Sequence, residues 1–250
     1  MSPNTWLVIP KPNPSALFRL FCFSYAGGGA VVFRTWPHDL PADVEVCAVQ
    51  LPGRENRVRE TPLSRMEQVV QNVAQAMQTQ LNLPFAFFGH SLGGLICFEV
   101  ARHLRREFGK APERLFISAR RAPHLREPLP PIHHLPEPQF VAEIRRRYNG
   151  IPQAVLQEPD LLRIMLPMMR ADFAIFETYE HAEEEPLSCP ITVFGGIHDA
   201  TVNRAALEAW HQHTRNACTL HMLPGGHFFL RDEQESLLRI IGAKLQPELG

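Results

Sequence analysis

The sequence predicts an α/β fold, a mostly parallel sheet flanked by helices, and three observations carry that expectation. Short β-rich apolar runs alternate with segments whose apolar residues recur at helical spacing, the pattern of a parallel sheet with right-handed crossovers. One junction, Phe85-Ala86-Phe87-Phe88-Gly89-His90-Ser91-Leu92-Gly93-Gly94, holds a G-x-S-x-G motif where a strand-like run gives way to a helix-like one. The alternation breaks once, between Ser118 and Cys189, where about 70 residues separate consecutive strands and a single crossover needs far fewer.

Residues 1–15 hold four prolines and read as an extended lead-in with a short edge strand at Trp6–Ile9. Ala16–Phe23 is a β-rich run ending in Ser24-Tyr25-Ala26-Gly27-Gly28-Gly29-Ala30, where glycines let backbone approach a ligand or adopt positive φ. Val44–Val49 is the next strand, followed by the turn-rich Leu51-Pro52-Gly53-Arg54-Glu55. Ser64-Arg65-Met66-Glu67 has the form of a capping box. It opens a helix whose Val69, Val70, Val73 and Met77 share a face. After the Phe85 strand come a helix over Leu92–Glu107 and a strand at Arg114–Ser118. The break that follows opens with six prolines between Pro123 and Pro138 and continues with helices near Glu137–Tyr148 and Asp160–Tyr179. We expect one domain, residues 1–250, with a helical lid insertion at about 121–187 over the carboxyl edge of the sheet, where such folds bind ligands. Strands at Pro190–Phe194 and Thr219–Leu223 resume the sheet, with a helix near Arg204–His213 between them and another over Glu233–Leu245.

The length suffices for a sizeable core without disulfides or metals. With 25 basic and 26 acidic residues the net charge is −1, so there is no electrostatic footprint for nucleic acid. Five cysteines, at 22, 47, 97, 189 and 218, form no C-x-x-C pair and sit in apolar surroundings, as reduced buried thiols do. The start lacks a basic region followed by an apolar segment, and no run approaches 18 apolar residues. A cytoplasmic protein with no membrane segment is expected.

Chemistry concentrates at three strand ends. A serine hydroxyl is a weak nucleophile until it is exposed and handed to a base, and G-x-S-x-G supplies the tight turn that exposes Ser91. From 15 Gly and 8 Ser, about 0.03 such matches are expected by chance. After the strand at 190–194 comes Gly195-Gly196-Ile197-His198-Asp199, and after the strand at 219–223 comes Pro224-Gly225-Gly226-His227. Ser91, Asp199 and His227 thus follow the α/β-hydrolase order of nucleophile, acid and base. Asp199 competes with a plain turn or N-cap role, and the end of the preceding strand, Ala119-Arg120-Arg121, offers no carboxylate. His198 stands beside the acid, a poor position for facing Ser91. Oxyanion donors are expected from the backbone N–H groups of Leu92 and Ala26. The glycine run lacks the phosphate-loop pattern. His133-His134 and His211-x-His213 lack metal-ligand spacing and read as surface histidines, so no metal site is expected.

The chain resembles the type II thioesterases, stand-alone editing hydrolases of nonribosomal peptide and polyketide synthases. The resemblance runs from about Leu17 to Ile241. It rests on Ala26-Gly27-Gly28, Trp36-Pro37, Gln50-Leu51-Pro52-Gly53-Arg54, Gly89-His90-Ser91-Leu92-Gly93-Gly94, Leu166-Pro167 with Arg170-Ala171-Asp172-Phe173, Phe194-Gly195-Gly196 with Asp199, and Gly226-His227-Phe228-Phe229. Relatives commonly show Pro-His where this chain has Ser24-Tyr25. The resemblance implies the α/β-hydrolase fold, the triad Ser91, Asp199 and His227, and no cofactor. It implies acyl or aminoacyl substrates on the phosphopantetheine arm of a partner carrier protein, in antibiotic or siderophore biosynthesis. A monomer is expected. A carboxylesterase or acyltransferase with the same triad, or a non-catalytic carrier-binding module, are the alternatives. Met165, Met168 and Met169 are candidates for an adaptable acyl pocket, or for ordinary helix packing. Arg120, Arg121, Arg126 and Arg145-Arg146-Arg147 are candidates for contact with an acidic carrier, or for solvated faces.

Overall fold

Seven strands form one sheet in the order β1-β3-β2-β4-β5-β6-β7, in a computed structural model that describes residues 5–148 and 158–245. The strands are β1 (Leu7–Val8), β2 (Phe18–Phe23), β3 (Val44–Val49), β4 (Phe85–His90), β5 (Arg114–Ser118), β6 (Ile191–Gly196) and β7 (Cys218–Leu223). All neighbours run parallel except β1, which pairs antiparallel with β3 at the edge. The expected mostly parallel sheet of the α/β-hydrolase fold is the one observed.

Both faces of the sheet are covered, which is why its strands read as continuous apolar runs rather than alternating ones. Phe21, Phe23 and Phe87 point into one core, with α1 (Met66–Met77) and α2 (Leu92–Phe108) packed upon it through Val69, Val73, Leu95 and Val100. Leu20, Cys22, Ala86 and Phe88 point into the other, closed by Phe33, Trp36 and the last helix. That helix, α7 (Gln234–Leu245), contributes Leu237, Leu238 and Ile241. Four of the five cysteines are buried and all are free. Burial pushes the Cys47 thiol up to about 12 and Cys189 to about 11, which makes them inert apolar filling. No described helix is long and apolar enough to cross a membrane.

Between β5 and β6 lie α3 (Glu137–Tyr148) and α4 (Pro159–Glu177), joined by residues outside the described set. Phe140 and Ile144 of α3 and Phe173 and Phe176 of α4 belong to the same core cluster as α1 and α2. The insertion therefore packs on the body of the protein. After β6 come two short helical turns, α5 (Arg204–Glu208) and a 3-10 turn at Ala209–His213; after β7 comes α6 (Phe229–Asp232).

Three expectations change. The S-x-x-E capping box does not form: α1 starts at Met66 with Arg65 as N-cap and no side-chain cap bond, so Ser64 lies one position too early to bond its N3 amide. The helix expected over 204–213 divides into α and 3-10 turns. His213, expected at the surface with His211, is buried at the end of the 3-10 turn against Trp210 and Phe98. There burial and neighbouring histidines push its pKa down to about 3.

Candidate active site

Ser91 stands at the turn between β4 and α2 with φ 54° and ψ −116°, a conformation that strains a residue bearing Cβ. The turn survives because its flanks are glycine. A Cβ on Gly89 would overlap the carbonyl of Gly93, and one on Gly93 would overlap the carbonyl of Phe23. The Ser91 N–H donates to the Ser118 carbonyl at the end of β5 (2.7 Å), fixing the turn to the neighbouring strand.

His227, after β7, places Nε2 3.0 Å from Ser91 Oγ. Its Nδ1 lies 2.8 Å from Asp199 Oδ2. The three side chains named from the sequence thus meet at the carboxyl ends of β4, β6 and β7. The Asp199 side chain is 1% exposed. Burial raises its pKa, but bonds from His227 and Thr201 more than offset this, and the carboxyl sits below its ordinary range. The turn role weighed against the acid role also holds, on the other oxygen. Asp199 Oδ1 accepts the Thr201 hydroxyl (2.7 Å) and the N–H groups of Thr201 (2.8 Å) and Val202 (3.3 Å). Thr201 Oγ1 also lies 3.0 Å from His227 Nδ1. Sequence reasoning passed over Thr201; the available signal was its position two residues after an Asp, where an Asx turn closes. His198 is exposed and takes no part.

Beneath His227 lies His90, fully buried, with ring centroids 5.5 Å apart. Burial, aided by His227, pushes the His90 pKa well down, so it is a neutral ring. Its Nδ1 bonds Ser118 Oγ at 2.9 Å. Tyr25 packs edge-on to His90 and Phe228, and its hydroxyl accepts from Arg231 (2.7 Å). This brace stands at Ser24-Tyr25, the stretch where the sequence departs from the pattern it otherwise resembles.

A buried ion pair that sequence spacing does not reveal fixes the glycine loop. Arg54, from the Leu-Pro-Gly-Arg turn after β3, meets Asp172 of α4 through two bonds of 2.9 and 2.7 Å. Arg54 also donates to the Gly28 carbonyl (2.8 Å), and Asp172 accepts the Gly27 N–H (2.8 Å). Asp172, from the Arg170-Ala171-Asp172-Phe173 motif of the insertion, thus ties α4 to the loop that begins at Ala26. Neither side chain is more than 5% exposed. Asp172→Ala would leave the buried Arg54 guanidinium without its counter-ion and the Gly27 amide without an acceptor, and truncating one member of such a pair costs about 3–5 kcal/mol. Denaturant unfolding is expected to show that loss; a midpoint equal to wild type would show the clamp carries no stability.

A narrow cavity in front of Ser91 is lined by Ala26, Met169, Phe173, Phe176, Arg120 and Tyr148 among others. Of the three candidate methionines only Met169 faces it; Met168 is buried in the core and Met165 packs against that core. Arg120 and Arg121 are corrected more sharply. Both are about 8% exposed and face the cavity, because the chain turns inward after β5. Arg126, Arg145 and Arg146 are exposed, with Arg146 and Arg147 paired to Glu143.

A strained serine, an imidazole and a carboxylate held below its ordinary range thus stand in hydrogen-bond series at the carboxyl edge of the sheet. Residues 18–245 match the thioesterase domain family, and the chain belongs to that family, as a hydrolase acting on thioesters. Within it the chain is a type II thioesterase. Gramicidin S biosynthesis protein GrsT of Aneurinibacillus migulanus is 44% identical, over 97% of this chain and 94% of its own. The type II thioesterase BorB of the borrelidin cluster superposes with a TM-score of 0.87 at 33% identity, over 96% of this chain and 98% of its own. Linear gramicidin dehydrogenase LgrE of Brevibacillus parabrevis is 46% identical, over 100% of this chain and 95% of its own. Its name denotes a redox enzyme, yet the loop after β2 here does not complete a dinucleotide fingerprint. Gly27-x-Gly29 is followed by Val32 where a third glycine would stand, and a 3-10 turn rather than a long helix begins there.

Proposed function

We propose that Ser91, His227 and Asp199 form the catalytic triad, and that it hydrolyses acyl and aminoacyl thioesters carried on the phosphopantetheine arm of a synthase's carrier protein. The supporting observation is the unbroken bond series from Asp199 Oδ2 through His227 to Ser91 Oγ, at 2.8 and 3.0 Å. His227 Nε2 takes the Ser91 proton as Oγ attacks the thioester carbonyl. The tetrahedral oxyanion forms beside the N–H groups of Leu92 and Ala26. Among the described residues neither amide donates to a protein acceptor, whereas the Gly27 amide is engaged by Asp172. Each such donor contributes a few kcal/mol to the transition state. The thiol leaves with the proton from His227, and water activated by the same imidazole then frees the acid from acyl-Ser91. Every step is a proton or acyl transfer within these groups, so no cofactor is invoked.

In this reading the chain acts as a single domain in the cytoplasm, and residues of about 121–187 form a lid over the triad through which the pantetheine arm enters. Similarity to a gramicidin S biosynthesis protein and to a type II thioesterase of the borrelidin biosynthetic cluster supports the carrier as partner. The test is a panel of acyl-loaded carrier proteins and simple esters of the same acids, scored for free acid. Higher kcat/KM on the carriers is expected. A strong preference for the esters would overturn the substrate class and favour a carboxylesterase.

A further inference from the structure

We infer that the ion pair of Arg120 and Glu127 closes the far end of the acyl cavity and sets the length and polarity of the acyl group accepted. The inference rests on the function proposed above and concerns the same site.

Arg120 reaches the cavity through a built turn. Ala119, just past β5, has φ 49°, a strained value for a residue with Cβ, and the Arg120 carbonyl is held by the Trp210 indole N–H at 2.7 Å. The side chain is thereby directed inward beside Phe176, whose ring lies 5.5 Å from the guanidinium carbon. Arg120 Nη2 and Glu127 Oε1 approach to 2.7 Å, and Arg121 Nε lies 3.4 Å from Glu127 Oε2. Arg121 is otherwise committed, donating to the carbonyls of Arg126 and Thr201. The Arg120–Glu127 contact is off the hydrogen-bond line: Arg120 Nε and Glu127 Oε1 are buried without a hydrogen-bond partner.

Two features give this pair a role in selection. Buried polar atoms with spare capacity favour a ligand that bonds them and penalise one that only covers them. The pair is also a partition. Arg120, Glu127 and Phe176 line the cavity of Ser91 on one side, and on the other a second cavity under Pro123, Leu129 and Tyr179. A long alkyl chain meeting this wall covers the Glu127 carboxylate, whose side chain is 27% exposed, and returns no bond to it. A short acyl group stops before it, and an acyl group bearing an amine, amide or hydroxyl bonds to it. The site therefore takes short or polar acyl groups, aminoacyl ones included, and rejects long saturated chains. Removing both charges and their bulk joins the two cavities.

The test uses N-acetylcysteamine thioesters, from acetyl to decanoyl together with alanyl, on the full chain. Wild type is expected to favour butyryl and alanyl over decanoyl. In Arg120→Ala/Glu127→Ala the decanoyl-to-butyryl ratio of kcat/KM is expected to rise about tenfold or more, the scale on which apolar pockets discriminate by chain length. Both partners are changed together because a lone buried charge destabilises more than the loss of a pair. Should that variant not fold, judged by circular dichroism, Arg120→Met/Glu127→Met keeps volume and removes the charge, and its ratio is expected to rise as well. A wild-type preference for decanoyl, or an unchanged ratio in a folded variant, overturns the inference and leaves thioester hydrolysis standing. No hydrolysis of any thioester by wild type would instead overturn the parent function, and this inference with it.

Discussion

Ser91→Ala is expected to fold as wild type does and to lose thioester hydrolysis by about six orders of magnitude in kcat, the scale seen when a serine triad loses its nucleophile. The fold survives because alanine keeps the Cβ that the turn already tolerates at φ 54°, and because the Ser91 hydroxyl makes no cap bond to α2. The stability change should lie within about 0.5 kcal/mol. The chemistry fails because the hydroxyl bonded to His227 Nε2 among the described residues is that of Ser91. Residual rate would reflect the oxyanion amides and binding alone. Steady-state kinetics beside a thermal melt checks both halves. Hydrolysis retained in a folded Ser91→Ala protein would move the nucleophile elsewhere.

Asp199→Asn is expected to cost about 10⁴ in kcat with little change in fold. The bonds around this side chain decide which way the new amide turns. One oxygen faces the N–H groups of Thr201 and Val202 and the Thr201 hydroxyl, so that side requires an acceptor. The asparagine carbonyl takes that place and its NH₂ turns to His227 Nδ1, where Oδ2 stood. An NH₂ facing Nδ1 forces the ring proton onto Nε2, and Nε2 can then no longer accept the Ser91 proton. The carboxyl is held below its ordinary range in the folded protein, so wild type keeps this partner ionised until the medium is more acidic than an ordinary aspartate tolerates. Wild-type turnover in Asp199→Asn would remove Asp199 from the triad.

What could be read from the chain was whatever the chemistry keeps local. The elbow is legible because Gly89, Ser91 and Gly93 must be neighbours for α2 to fold back over β4. Asp199 and His227 are legible because each follows a strand directly and the sheet gathers strand ends. The strands were legible for the same reason, since burial on both faces writes an uninterrupted apolar run. Contacts between distant segments were not. Arg54 and Asp172 are 118 residues apart, and no periodicity links them. Arg120 and Arg121 read as a basic surface run, because sequence alone does not show that the strained Ala119 turns them beneath α4. His213 looked solvated beside His211 until a 3-10 turn, with its different pitch, rotated it onto Trp210.

The central claim, that a covalent acyl group passes through Ser91, is tested most directly by quenching the reaction with a slow aminoacyl or acyl thioester and measuring the mass of each proteolytic peptide. The account predicts one added acyl mass, on the peptide holding Ser91, absent from Ser91→Ala and discharged by water. An acyl mass on another residue, or full turnover by Ser91→Ala, would contradict it.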